Sequence, residues 1–286
     1  MAREPLLRRL AREVLGEEIA SRIWRRIEIV GDIAIIRRPL GMEAIEPLRI
    51  LAERLLKELP YVRSVWLACT PVEGSERVRK YIHLAGERRS ETVYREHGCV
   101  FRLDITKVYI SPVLSYDHAR IARMVRPGER ILNMFAGIGG YSIVASRLAK
   151  PSLVLSIDLN PHAVRYLREN IELNKVEEIN EVVHGEAISI TESMEPLFDR
   201  VLAPLPELWR RALEAATHAC RGQCFIHPHI FVEAPRKRDA FREAASMAMS
   251  VLEGMGLRAE VVGGHVVRSV GPRRYQVSLD LRVLKA

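Results

Sequence analysis

The chain has 286 residues, 48% of them hydrophobic, and a formal net charge of +8 carried mostly by arginine. That length suits one large domain with a smaller one. No run approaches 18 apolar residues, which excludes a membrane-spanning helix, and the charged start, M-A-R-E-P-L-L-R-R-L, lacks the apolar stretch of a secretion signal, so a cytoplasmic protein is expected. The basic excess leans toward the N-terminal part and favours a phosphate-rich partner. A thermophile-type surface, suggested also by the presence of only five Asn and two Gln, explains the charge equally well.

Residues 3–26 read as one amphipathic helix, or as two broken at Gly16, with Leu6, Leu10, Val14, Ile19 and Ile23 at helical spacing. Arg8, Arg9, Arg12, Arg22, Arg25 and Arg26 line its other side, facing either RNA or solvent. Two short strands around Gly31-Asp32 follow, then a helix from Ile45 to Leu59 closed by Pro60, and a strand from Val62 to Cys69. A polar, basic loop from Gly74 to Lys80 leads into strands at Tyr81–Leu84 and Glu91–Arg95. A turn at Glu96-His97-Gly98 then opens the last strand, Val100 to Tyr109. This module has no glycine-rich phosphate loop and is expected to position a substrate. Residues 1–26 are read as a helical segment, 27–110 as the small α/β domain, and 111–286 as the catalytic domain.

Past the hinge at Ser111–Asp117, a helix from Asp117 to Met124 precedes the stretch on which the larger domain is organised, R-I-L-N-M-F-A-G-I-G-G-Y-S-I. An apolar strand enters a turn on Gly137, Gly139 and Gly140, and the period becomes helical through Tyr141 to Leu148. A buried strand, Leu153 to Ile157, ends at Asp158, whose carboxylate can take both hydroxyls of a ribose. Asn160-Pro161 caps and opens a helix to Asn174. Strands then follow at Val182-Val183, Asp199–Leu205 and Gln223–His229, with helices at Glu207–Cys220 and Arg238–Met255 and final strands at Leu257–Val262 and Tyr275–Val283. Alternation of strand and helix predicts a doubly wound sheet, and the last strand, reached without a helix, should be antiparallel.

A dinucleotide site asks for G-x-G-x-x-G, but Ser142 occupies the sixth position, and no phosphate loop ending in Gly-Lys-Ser/Thr exists. The four cysteines, at 69, 99, 220 and 224, are too few and too scattered for a disulfide framework. Cys220 and Cys224 lie near His227 and His229, which raises a zinc site. As a strand, however, Cys224-Phe-Ile-His227 sends alternate side chains to opposite faces, so no metal is expected.

The shape F-A-G-x-G followed by I-D-x-N-P resembles class I S-adenosylmethionine-dependent methyltransferases. With the junction Y-R-E-H-G-C-V-F-R-L-D-I-T-K-V-Y-I-S-P-V-L-S-Y-D-H-A-R-I, the chain from about residue 27 onward is similar to the archaeal and eukaryotic tRNA (guanine-37-N1)-methyltransferase family with its wyosine-pathway branches. The resemblance implies a Rossmann-like class I domain behind a smaller α/β domain. It also implies S-adenosylmethionine as cofactor and tRNA, at the purine beside the anticodon, as partner. Cofactor contacts are implied at His118, Phe135, Gly137, Gly139, Asp158, Leu159, Glu186, Ala187 and Pro204, and substrate contacts at Arg77, Arg79, Val113, Pro206 and Arg273.

Departures from the family pattern carry the specificity argument. The usual hinge, S-P-R-L-x-x-E-R, here puts Val113 for the arginine, Asp117 for the glutamate and His118 for the second arginine. Pro204 replaces the asparagine of N-x-P, and Asn133 replaces the aspartate of D-M-F-A-G. Arginine is a planar, bidentate donor that valine cannot replace. A site lacking both polar groups suits a tricyclic wyosine intermediate, methylated on a ring carbon, better than guanine. Transfer of the cofactor's aminocarboxypropyl group, a catalytically silent tRNA-binding role and, less readily, a small-molecule methyltransferase are the alternatives. Asp117 is expected to be the general base or a helix N-cap; Tyr109 to stack on the target base or fill the core; His118 to reach the cofactor carboxylate or stand exposed.

Overall fold

The structure, a computed structural model, describes residues 4–39, 41–71, 74 and 76–284. Arg3, at the start of the expected first helix, and Ser75, in the polar loop, lie outside the described residues. The chain divides into two compact units, Met1–Pro112 and Val113–Ala286.

In the first unit, α1 (Leu6–Arg22) is interrupted at Gly16, whose φ of 78° and ψ of 170° are not helical. Strands β1 (Glu28–Val30), β2 (Ile33–Arg37), β3 (Ser64–Ala68) and β4 (Tyr81–Gly86) form a sheet in that order, with α2 (Glu46–Glu58) crossing between the parallel pair β2 and β3. Pro47 stands in the first turn of α2, where its missing N–H costs nothing. Leu48, Leu51, Ala52 and Leu55 follow the helical period and are buried with Leu7, Leu10, Val65 and Leu67 in this unit's own core. Strands β5 (Glu91–Glu96) and β6 (Cys99–Asp104) make a separate hairpin. Because β6 stops at Asp104, Tyr109 is not a strand residue.

A short 3-10 turn, Pro112–Leu114, carries the chain across the boundary, and α3 (Ser115–Ala122) is the first helix of the second unit. There follow β7 (Arg130–Asn133), α4 (Gly140–Ala149), β8 (Leu153–Asp158), α5 (Pro161–Leu173), β9 (Asn180–His184), α6 (Ala187–Glu192), β10 (Phe198–Ala203), α7 (Trp209–Ala219), β11 (Cys220–Glu233), α8 (Ala240–Gly254), β12 (Arg258–Gly271) and β13 (Arg274–Leu284). The sheet order is β12-β13-β11-β10-β7-β8-β9. Neighbours from β11 to β9 are parallel, and the last strand inserts antiparallel between β11 and β12. This is the α/β class I methyltransferase architecture. The short α6 was not expected from sequence, and β11 and β12 run longer than expected because pairing along β13 continues through polar and glycine positions that show no apolar alternation.

Cys220 and Cys224 are joined by a disulfide. They flank a bulge, since β10 advances from Phe198 to Arg200 while its partner advances from Cys220 to Phe225. The pairing was not anticipated from sequence, because a single bridge between residues four apart leaves no framework pattern.

Candidate active site

The turn after β7 sets the first half of the site. Gly137 and Gly139 take left-handed φ values of 56° and 100°. A Cβ on Gly139 would meet Leu167 at 2.6 Å and Ile143 at 2.7 Å, so that glycine is a packing requirement. A Cβ on Gly137 would meet nothing within 4 Å, which leaves open space above its backbone. The Gly137 N–H donates to Asp158 Oδ2 at 2.6 Å, and the Asn160 N–H donates to Oδ1 at 2.9 Å. The tip of β8 is thereby fixed against the turn. Asn133, wholly buried at the end of β7, donates to Ser142 Oγ at 3.0 Å, while its Oδ1 has no partner. Phe135 packs against the core, Leu159 is exposed, and Ala187 is buried. Glu186 caps α6: its carboxylate accepts the N–H groups of Ile188 and Ser189 and the Ser189 hydroxyl. Burial would raise its pKa, but these donors hold it below the usual carboxylate range.

The second half is built on α3. His118 is buried rather than exposed. Its ring meets Tyr141 edge-on at 4.3 Å and lies over Gly140, where a Cβ would come within 2.4 Å of the imidazole. Asp117 is not the cap, because it is the third residue of α3, in the first turn, and the N-cap position is Leu114. Its carboxylate is completely buried. Oδ2 accepts from the Tyr141 hydroxyl at 2.6 Å, from His229 Nε2 at 3.0 Å and from the Ser278 hydroxyl at 3.2 Å, and Oδ1 accepts from Arg120 Nε at 2.8 Å. Burial alone would raise its pKa, but the hydrogen bond from His229 and the adjacent Arg120 guanidinium outweigh it and hold Asp117 well below the usual range. A carboxylate so supplied with donors is a poor proton acceptor. The geometry recasts the expected base as an anchoring charge.

That charge belongs to a buried polar chain across four strands, β10 to β13. Arg120 also donates to Asp280 Oδ2 at 2.5 Å and to Ser278 Oγ at 2.9 Å. Asp280 Oδ1 lies 2.8 Å from His227 Nδ1, and Arg200 Nη1 lies 2.6 Å from His227 Nε2. Arginine only donates, so His227 carries its proton on Nδ1. Arg200 in turn grips Glu129 at 2.8 and 3.1 Å. On the other side, Arg268 donates to Gln276 Oε1 at 2.8 Å, which orients the amide so that Nε2 donates to His229 Nδ1 at 2.9 Å. His227 and His229 are thus committed to carboxylates, and the two nearby cysteines to each other. Among the described residues no group of three or more His, Cys, Asp or Glu is arranged to hold a metal. Tyr141, Arg120, Gln276, Ser278 and Asp280 escaped the sequence reading. The legible signal was polar residues at every second position of an otherwise apolar final strand, Q-V-S-L-D.

The remaining expected residues are dispersed. Val113 is exposed, Pro204 half-buried and Pro206 buried. Arg273 is exposed, with a φ of 53°, in the turn joining β12 and β13. In the first unit, Arg77 lies over the Tyr109 ring at 4.8 Å, so one face of that ring is already covered. Arg79, expected as a substrate contact, pairs with Glu28 at 3.2 Å with its side chain only 11% exposed.

Comparison with known proteins gives this arrangement a lineage. Residues 92–251 match the TRM5/TYW2 methyltransferase domain, and residues 7–89 match the TYW2 N-terminal domain. The tRNA 4-demethylwyosine(37)-methyltransferase Taw21 of Saccharolobus solfataricus is 43% identical over 260 residues, 91% of this chain and 94% of that protein. The crystal structure of Trm5b from Pyrococcus abyssi superposes with a TM-score of 0.84 at 31% identity, covering 100% of this chain and 82% of that one. The structure of P. horikoshii TYW2 in complex with MeSAdo superposes with a TM-score of 0.75 at 26% identity, covering 99% and 100%. On fold and sequence alike, the chain belongs to the TRM5/TYW2 methyltransferase family.

Proposed function

We propose that the chain is an S-adenosylmethionine-dependent tRNA methyltransferase whose acceptor is a tricyclic, 4-demethylwyosine-type base at position 37. The observation that carries the acceptor is the 43% identity, over nearly the full length of both chains, to a protein named for that base. The hinge agrees with it: exposed Val113 and the half-buried Pro204 supply no donor for a guanine edge.

The residues present fit the cofactor. The open space over Gly137 admits a ligand against the backbone. The unpaired Oδ1 of Asn133 is an acceptor for an ammonium group, and Asp158, pre-oriented by two backbone N–H groups, is the ribose ligand. Glu186, Ala187 and Leu159 form the adenine end, Phe135, Gly139 and Pro204 complete the wall, and His118 stands at the amino-acid end. When bound, the sulfonium supplies an already activated methyl group; the protein's part is positioning and proton removal. Residues 27–110 serve as the tRNA-positioning domain, with Arg77 and Tyr109 as RNA contacts there, while Pro206 and Arg273 are contacts in the second domain. We place the enzyme in the cytoplasm; among the described residues no helix is long and apolar enough to cross a membrane.

The test is single-turnover transfer to unmodified, N1-methylated and 4-demethylwyosine-containing tRNA, read by nucleoside mass spectrometry. A methyl-sized gain on the tricyclic base is expected. An aminocarboxypropyl-sized gain would move the chain to the other activity of the family, and fast N1-methylation of unmodified tRNA would restore guanine as acceptor.

A further inference from the structure

With Asp117 saturated by donors, the site described so far has no group free to take the proton that the acceptor must lose. One histidine outside that set is placed to do so. His265 stands on β12 opposite Ser278 of β13. Its Nδ1 is buried, makes no hydrogen bond, and lies 3.5 Å from Asp117 Oδ1. The side chain as a whole is 26% exposed, so the ring reaches outward from that buried atom. Tyr116, 62% exposed, meets the ring edge-on at 5.3 Å. Val113, 47% exposed, stands three residues before Tyr116.

The backbone is arranged to bring His265 there. Pairing along β12 advances from Val261 to Gly263 while β13 advances only from Leu281 to Asp280, so Val262 is an extra, unpaired residue. A one-residue bulge reverses the alternation of faces beyond it. Val261 shares its face with Leu281 in the apolar core, and without the bulge His265 would share it too. With the bulge, His265 joins Ser278 and Asp280 on the polar face. The two glycines after the bulge make the approach possible. A Cβ on Gly263 would stand 2.8 Å from Asp280 Oδ2, and one on Gly264 would stand 2.4 Å from the Ser278 carbonyl oxygen.

We propose that His265 is the proton acceptor of the transfer reaction, its Nδ1 protonated beside the Asp117 charge 3.5 Å away and its Nε2 facing an acceptor base that rests on Val113 and Tyr116. This rests on the proposed function. In the step, the bond from the acceptor ring atom to the methyl carbon forms as the methyl–sulfur bond breaks. The electron pair stays on sulfur, and the ring proton passes to Nε2 and then to water. The titratable and charged groups acting on the ring are Asp117 and Arg120 from α3, His229 from β11 and Asp280 from β13. Burial first, helped by Arg120, lowers the pKa of His265, so the ring is neutral and able to receive a proton near pH 7.

The test compares wild type with His265→Gln and His265→Ala on 4-demethylwyosine tRNA in single turnovers across pH. Loss of about a hundredfold or more in rate is expected, with cofactor and tRNA affinities within about twofold, loss of the acid limb of the pH–rate profile, and partial rescue of the alanine variant by imidazole. Independently, nitrogen-15 spectra of the free protein should show a neutral His265 protonated on Nδ1. Wild-type rates in both variants, a rate loss traced wholly to weakened binding, or a ring protonated on Nε2 would each overturn the inference while leaving the proposed function standing. No transfer by the wild type to any tRNA form would overturn both.

Discussion

At the scale of single residues, charge placement decides what the site can do. Asp158 is held by the N–H groups of Gly137 and Asn160, so its loss removes both the proposed ribose acceptor and the brace of the glycine turn. Asp158→Ala should weaken S-adenosylmethionine binding by roughly 1.5–3 kcal/mol, the range for hydrogen bonds to charged groups. Unchanged affinity by calorimetry would reject that placement. The buried chain also makes stability depend on acid. Asp117 and Asp280 are depressed in the fold, so their contribution is complete above the unfolded carboxylate value of about 3.9 and is lost as pH falls below it. His227 is depressed too, because burial and the Arg200 charge outweigh its bond to Asp280. For a histidine so shifted the neutral form favours folding. Its contribution is complete above the unfolded value of about 6.5 and declines as pH drops below it. The thermal midpoint should therefore fall first below about pH 6.5 and again below about 4, and His227→Asn should shrink the upper step. A wild-type midpoint unchanged between pH 7 and 5 would falsify this account.

At the scale of elements, the entrance to α4 is the tightest joint. Gly139 serves as its N-cap in the left-handed region, with Leu167 and Ile143 against it, and Gly140 carries the His118 ring. Gly139→Ala combines a strained φ with two close contacts and should cost about 1–3 kcal/mol, read as a lowered midpoint in urea unfolding; an unshifted midpoint would mean that the turn relaxes freely. The final strand matters in the same way. Its polar face, Gln276, Ser278 and Asp280, reaches partners on β11, β12 and α3, while Val277, Leu279 and Leu281 fill the core on the other side.

At the scale of the whole molecule, each unit has its own apolar core, and the net charge of +8 is the property that a polyanion meets first. Counterion release makes phosphate contacts weaken linearly in log–log salt plots. Binding of tRNA should therefore fall steeply between 50 and 200 mM salt, while S-adenosylmethionine affinity of the same protein stays nearly flat. Filter binding with parallel calorimetry checks both; a flat tRNA curve would point to a small-molecule acceptor.

What the sequence determined by itself was whatever depends on neighbours along the chain. The strand–turn–helix at Gly137 to Gly140, the carboxylate ending the next strand, the Asn160-Pro161 cap and the helix break at Gly16 are local, and periodicity with turn chemistry exposes them. The doubly wound class and its antiparallel last strand followed from the order of elements. Tertiary structure decided the electrostatics. Asp117 lies 112 residues from His229 and 163 from Asp280, and no local pattern says that Arg120 bridges it to the latter. The disulfide, the bulge at Val262 and the side of the sheet that His265 faces depend on register between strands, where a one-residue slip exchanges buried apolar and polar faces. A carboxylate legible as a candidate base thus became a saturated anchor, because burial among donors is a property of the packed sheet and not of the hinge that carries it.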